Sequence, residues 1–253
     1  MSLPDTLMLL FFVAVASYAQ TVTGFAFGLI LMGSVALLNI APIPMVAILI
    51  SMLSLFNCLT ALYRNTGNLN WEIILLCSIS GFVTLILGVW ALNVLSVSHV
   101  ATLKMILGMA IIISSLLLIV RPAPQRYRSG KWSFLFFGGL SGFMGGLFST
   151  SGPPLVFHFY RQPLAQTMIR DTLLAIFTIN SVQRLAVVGY QGAIDAAIIL
   201  VAATAVPVVL IFTWIGKRFP PPLSDQAMRR VAFVLLLLSG LSLCLSALMD
   251  GRS

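Results

Sequence analysis

Apolar residues run along this chain in long blocks that almost no charge interrupts. No Asp, Glu, Lys or Arg occurs from Thr6 to Tyr63, from Ile73 to Leu103 or from Ser133 to Tyr160. Charge-free apolar runs above about 18 residues are long enough to cross a bilayer as helices, and these lack the period-two alternation of an outer-membrane barrel. The pattern predicts six spans: Pro44 to Leu62, Ile73 to Leu92, Val100 to Val120, Gln166 to Gly189, Ala196 to Gly216 and Val231 to Met249. Two further regions, Thr6 to Ile40 and Lys131 to Arg161, are too long for one crossing. Gly and hydroxyl residues interrupt each, at Gln20-Thr21-Val22-Thr23-Gly24-Phe25-Ala26-Phe27-Gly28 and from Gly142 through Ser149-Thr150-Ser151-Gly152-Pro153-Pro154. Each is predicted to be a helical hairpin with a broken middle. In the second, the arm before the break is expected over Lys131 to Ser141, about 16 Å at 1.5 Å per residue, which favours a re-entrant form.

Composition narrows the class. Hydrophobic residues make up 60% of the 253 and charged residues 8%, against about 25% charged in a soluble domain, so a soluble globular protein is excluded. The formal charge of +8 would suggest nucleic acid in a soluble domain; here Lys and Arg sit in short loops between spans, where they report topology, and no nucleic-acid partner is expected. Cys58, Cys77 and Cys244 lie inside apolar stretches at no metal-ligand spacing and read as small core residues. With two His and six acids, neither a metal nor another cofactor is expected. Met1 to Asp5 carry no Lys or Arg ahead of the first apolar run, so this segment is read as the start of a span rather than a leader.

The loops test the hairpins. If each hairpin returns to the side it entered from, three crossings follow it in each half. Arg64, the cluster Arg121, Arg126, Arg128 and Lys131, then Arg161, then Lys217, Arg218, Arg229 and Arg230 all land on one face. The turns at Asn39 to Ile43, Asn93 to Ser98 and Tyr190 to Ile194 hold no Lys or Arg and share the other face with both chain ends. The basic face is expected in the cytoplasm and both termini outside. The fold class is therefore all-α: a polytopic membrane protein of two inverted-topology repeats, residues 1–120 and 132–253, joined by a basic linker at 121–131. The halves resemble each other. Gly24-Phe25-Ala26-Phe27-Gly28 matches Gly142-Phe143-Met144-Gly145-Gly146 at a spacing of 118. Gly67-Asn68-Leu69-Asn70 matches Gly192-Ala193-Ile194-Asp195, and Lys104 matches Arg229, at 125, which requires a seven-residue insertion in between. Inverted repeats with discontinuous helices point to a secondary transporter whose site lies at the midplane.

Several of these segments, in this order, resemble the sulfite exporter TauE/SafE family: Gly24 to Gly28 followed by an apolar run and Pro42; Gly67-Asn68-Leu69-Asn70-Trp71; Gly142 to Gly146; Ser151-Gly152-Pro153-Pro154-Leu155; and Arg170 with Asn180 and Arg184 downstream. The likeness spans essentially the whole chain. It implies a bacterial cytoplasmic-membrane transporter of small sulfur-containing anions such as sulfite, sulfoacetate or other organosulfonates. The first break here is less Gly-rich than the family's usual motif.

An anion of this kind needs hydrogen-bond donors where water is scarce. Each second half-helix of a broken hairpin turns its N-terminal amides toward the midplane. Ser149, Thr150 and Ser151 add hydroxyls at one break and Thr21 and Thr23 at the other; Gly24 and Gly152 allow close backbone approach, and Pro153 suits a helix start. The competing reading is that these hydroxyls bond back to their own helices and the glycines serve packing. Arg184 stands deep in an apolar span, where a guanidinium costs at least about 2.5 kcal/mol, and its planar fork suits oxyanions; the alternative is that it snorkels to the outer surface. Asn180 lies one turn earlier on the same face, with Phe177 and Leu173 continuing the stripe. Arg170 and Asp171 enter this helix from the cytoplasmic side as interfacial anchors, a cytoplasmic gate or a proton-coupling pair. Asn57 either lines the path or joins helices.

The leading expectation is an alternating-access transporter in the bacterial inner membrane, with the lipid bilayer and a sulfur oxyanion or sulfonate as its partners. A passive anion channel is the alternative. An intramembrane serine hydrolase built on Ser151 and His158 is a poor match in spacing. The small faces at Gly138, Gly139 and Gly142 would also allow a homodimer.

Overall fold

The computed structural model describes residues 3–63, 69–98, 100–119 and 125–219, with Leu237, Gly240, Leu241, Cys244, Leu245 and Ala247 beyond them. Arg64, Gly67, Asn68, His99, Arg121, Arg229, Arg230 and most of the expected last span lie outside the described residues. Among those described, all regular structure is helical: α1 (Leu3–Thr23), α2 (Phe27–Leu37), α3 (Ile43–Leu62), α4 (Trp71–Ser98), α5 (Val100–Ile119), α6 (Lys131–Phe148), α7 (Gly152–Phe159), α8 (Gln166–Tyr190) and α9 (Ala196–Arg218). α1, α3, α4, α8 and α9 are each long and apolar enough to cross a membrane. A chain this apolar has no water along its length to satisfy backbone groups, so each segment closes its hydrogen bonds within itself.

Local chemistry sets where the helices begin. α3 opens behind Pro42 with Pro44 in its first turn, positions at which a missing N–H costs nothing. The Asn70 side chain accepts from Ile73 N at 3.2 Å, and Asp195 accepts from Ile198 N at 2.8 Å. The two ends of the matched Gly-x-x-Asn/Asp segments are thus the N-caps of α4 and α9.

Both hairpins are broken, each into a long and a short arm. α1 stops at Thr23, followed by Gly24 (φ 82°) and Ala26 (φ 92°); α6 stops at Phe148, followed by Ser149 (φ 57°). The same left-handed stop closes both, with Gly24 N donating to Gln20 O at 2.7 Å and Ser149 N to Gly145 O at 2.8 Å. The second hairpin departs from expectation. Its first arm does not end at Ser141 but runs for 18 residues to Phe148, about 27 Å. The glycines that read as a break are instead a packing surface. A Cβ on Gly142 would fall on the Gly81 backbone, one on Gly146 on the Leu85 carbonyl, and one on Gly138 would come within 2.6 Å of Cys77 Cα. Thr84 Oγ1 adds a 2.6 Å bond to Gly139 O. Small residues let α4 and α6 touch backbone to backbone, as in other membrane helix pairs. The face at Gly138, Gly139 and Gly142 that would suit a second copy is therefore covered by this chain's own α4.

Three helix ends, at the two breaks and at the starts of α4 and α9, recur at one spacing. Thr23 and Phe148, Phe27 and Gly152, and Trp71 and Ala196 each lie 125 residues apart. At that spacing Gly24 stands opposite Ser149, seven residues beyond the Gly142 that its sequence matches. Packing follows the same exchange: α4 lies on α6 and α1 on α9, α3 on α9 and α4 on α8, with α3 against α8 at the centre.

The basic segments share one end. Lys217 Nζ donates to the carbonyls of Thr60 (3.1 Å) and Tyr63 (3.2 Å) at the close of α3. Glu72 pairs with Arg128 at 2.9 Å and Lys131 at 3.2 Å, and Gln125 N bonds Arg161 O at 2.8 Å. At the opposite end Asn93 Nδ2 meets Gln191 Oε1 at 3.1 Å.

Candidate functional site

A small cavity opens where the second break crosses the start of α2, with α3 and α8 as its walls. Its polar lining is made by Ser149, Thr150, Ser151, Asn180, Ser181 and Arg184, and its apolar lining by Ala26, Leu29 and Phe177; Gln20, Gly28, Ser54, Gly145 and Gly152 complete it. Gly28 is what lets the hairpins meet, since a Cβ there would stand 2.6 Å from Ser149 O and 3.1 Å from Thr150 Cγ2.

Arg184 dominates the site. It is 1% exposed, so it does not snorkel to the surface. Its Nε donates to Gly146 O at 3.3 Å and its Nη1 to Ser51 Oγ at 3.2 Å, while Nη2 is buried without a partner. No ion pair among the described residues involves it. A buried, unpaired charge costs several kcal/mol. Ser51 extends the arrangement: its Oγ lies 2.6 Å from Ser149 Oγ and 3.0 Å from Ala47 O, so α8, α3 and the break are joined through one hydroxyl.

The break itself is held open by its neighbours. Ser149 occupies the left-handed region, which costs a non-Gly residue of order 1–2 kcal/mol, and it is stabilised there by the bonds to Gly145 and Ser51. Ser141 Oγ donates to Ser151 O at 2.6 Å, and the Ser151 hydroxyl lies against Gly145, where any Cβ would collide with it. Pro153 and Pro154 in the first turn of α7 carry no N–H, so this helix start offers fewer backbone donors than usual.

The structure thus gathers Ser149, Thr150, Ser151, Gly152, Asn180 and Arg184 around one space. Pro153 is buried in the first turn of α7, beside the lining. Four other candidates are occupied elsewhere. Thr21 Oγ1 donates to Ser17 O and Thr23 Oγ1 to Ala19 O, both at 2.7 Å, the back-bonding expected of hydroxyls in apolar helices. Asn57 Nδ2 donates to Ser17 O (3.1 Å), Thr21 Oγ1 (3.2 Å) and Thr213 Oγ1 (2.7 Å), knotting α1, α3 and α9 together. Gly24 lies under the Arg170 side chain. Arg170 has its Nε buried without a partner, and Asp171 is 6% exposed beside it on α8. At the first break the amide of Phe27 is already taken by Gln20 Oε1 at 3.1 Å. Ser151 and His158 share no hydrogen bond; His158 stacks on Phe137 at 4.4 Å and faces Ser133 Oγ at 3.4 Å.

Sequence reasoning missed Gln20, Ser51, Ser54 and Ser181 as site residues. Gln20 carried a signal, being an amide inside an apolar run; the serines carried none, because isolated hydroxyls are ordinary in membrane helices.

Fold and site together define a multi-pass helical membrane protein with a buried cationic cavity between broken hairpins. The chain belongs to the sulfite exporter TauE/SafE family, whose model matches residues 9–243. It is 41% identical over 232 residues to the probable sulfite/organosulfonate exporter TauE of Cupriavidus necator, a match covering 92% of this chain and 91% of that protein. No solved structure matches the chain.

Proposed function

We propose that this protein is a secondary transporter of small sulfur-containing anions, with the substrate bound at Arg184 beneath the Ser149-Thr150-Ser151 break. One observation carries the reading: a fully buried guanidinium with an unpartnered nitrogen, no acidic partner among the described residues, and hydroxyl donors around the space beside it. The family membership and the name of the Cupriavidus relative support a sulfur anion as the occupant. The spacing of 125 shared by the two breaks and the starts of α4 and α9, the paired N-caps at Asn70 and Asp195 and the exchanged packing support two inverted repeats, the architecture in which alternating access works. The shared end of Arg128, Lys131, Arg161 and Lys217 supports a cytoplasmic placement of that end in the inner membrane, with both termini outside. Arg170 and Asp171 then stand where an anion arriving from the cytoplasm, or a coupled proton, would first meet α8. An interior-negative potential drives an anion outward, so export requires no further coupling.

The test is flux of labelled sulfite in proteoliposomes under an imposed potential. Saturable flux that is stimulated by unlabelled sulfite on the opposite side supports a carrier; flux that never saturates supports a channel instead. Flux no greater than that of empty liposomes for sulfite and for sulfonates overturns the reading.

A further inference from the structure

The lining of the cavity is mixed, and its apolar members are buried. Phe177 is 7% exposed, Ala26 7% and Leu29 3%. Phe177 shares a face of α8 with Asn180 and Arg184, three and seven residues on, so ring, amide and guanidinium look into the same space. A Cβ built on Gly152 would lie 3.7 Å from Phe25 Cβ and 3.8 Å from Phe177 Cζ. The first break, the second break and the α8 ring therefore converge at one point. The free volume is about 30 Å³, where a water needs roughly 10–15 Å³ by the same measure. Room for about two to three waters suits a compact anion of a few heavy atoms. A sulfonate bearing an aromatic ring is larger, and Phe177, in the same lining as Arg184 and the hydroxyls, takes up space that its ring would need.

We propose that Phe177 is the size filter of this site, filling the space beside Asn180 and Arg184 so that compact oxyanions and the smallest sulfonates are accepted and ring-bearing sulfonates are rejected. The inference rests on the transporter reading above and adds the residue that sets its selectivity.

The experiment is competition in proteoliposomes: counterflow of labelled sulfite, challenged with methanesulfonate and with benzenesulfonate. In the wild type benzenesulfonate competes at least about tenfold more weakly than methanesulfonate, the discrimination that a well-packed apolar wall supplies. In Phe177→Ala the gap closes to within about threefold, and in Phe177→Leu, which keeps more of the packing volume if the alanine variant does not fold, it narrows by an intermediate amount. Equal competition by the two sulfonates in the wild type, or an unchanged gap in both variants while sulfite counterflow persists, overturns the proposal. Absence of sulfite counterflow in the wild type overturns the transporter reading, and this inference with it.

Discussion

Arg184 on α8 reaches Ser51 on α3, with Nη1 donating to Oγ at 3.2 Å. The same Oγ stands 2.6 Å from Ser149 Oγ at the second break. Because Arg184 is a donor only, the Ser51 proton is free to go to Ser149 or to Ala47 O. When it goes to Ser149, the Ser149 proton is released toward the cavity. The two central helices thus fix the guanidinium and a break hydroxyl through one shared atom, and position both before an anion arrives.

Ser51→Ala is expected to weaken this positioning without removing the charge. The lost bond, worth about 1 kcal/mol, raises the half-saturating sulfite concentration roughly fivefold and leaves the maximal rate within about twofold. Ser51→Thr, which keeps the hydroxyl, restores most of the affinity. Concentration dependence of sulfite flux in proteoliposomes measures both.

Gly142→Ala is expected to unseat α4 from α6. Its Cβ would fall on the Gly81 backbone, and overpacking of this kind costs about 1–3 kcal/mol or more because backbone cannot yield as a side chain can. Gly130→Ala is the control, since nothing lies within 4 Å of a Cβ there. Thermal unfolding in detergent shows a lowered midpoint for the first and an unchanged one for the second.

The spans at α3, α4, α8 and α9 and the break in each of the two long regions were legible in the sequence because charge-free apolar length is a direct signal in lipid; the span expected from Val100 is a helix with a shorter apolar stretch, and the last span lies mostly outside the described residues. Arg184 and the Ser149-Thr150-Ser151 segment were legible for the same reason, being polar groups where polar groups are costly. The position of the second break was not. Glycine serves both chain reversal and close packing, and only the α4 backbone opposite Gly138, Gly142 and Gly146 distinguishes the two uses. The fate of Thr21, Thr23 and Asn57 was equally hidden, since a hydroxyl or amide in an apolar helix reads alike whether it faces a cavity or bonds a neighbouring helix.

Asn57→Ala is expected to act on stability rather than on substrate affinity. It leaves Thr213 Oγ1 and Thr21 Oγ1 without their shared donor in a buried setting, at a cost of about 1–3 kcal/mol. The unfolding midpoint falls, and any flux that remains keeps the wild-type half-saturating concentration.

Single cysteines at Ser129 and Gln191, in a background with Cys58, Cys77 and Cys244 replaced by Ala, report topology. A membrane-impermeant maleimide applied to intact cells is expected to label the Gln191 position and to reach the Ser129 position only after the cells are opened. The reverse pattern would place the basic end outside.

The most direct test of the account is Arg184→Met, read for stability and sulfite flux together. Replacing a buried charge that has no ionic partner by an apolar side chain of similar reach removes its desolvation cost along with the bonds to Gly146 and Ser51, so stability is expected to be unchanged or raised, while saturable sulfite flux in proteoliposomes falls to the level of empty liposomes. A folded, equally or more stable variant that no longer carries sulfite is the predicted result. A folded Arg184→Met variant that transports sulfite with wild-type affinity would contradict it.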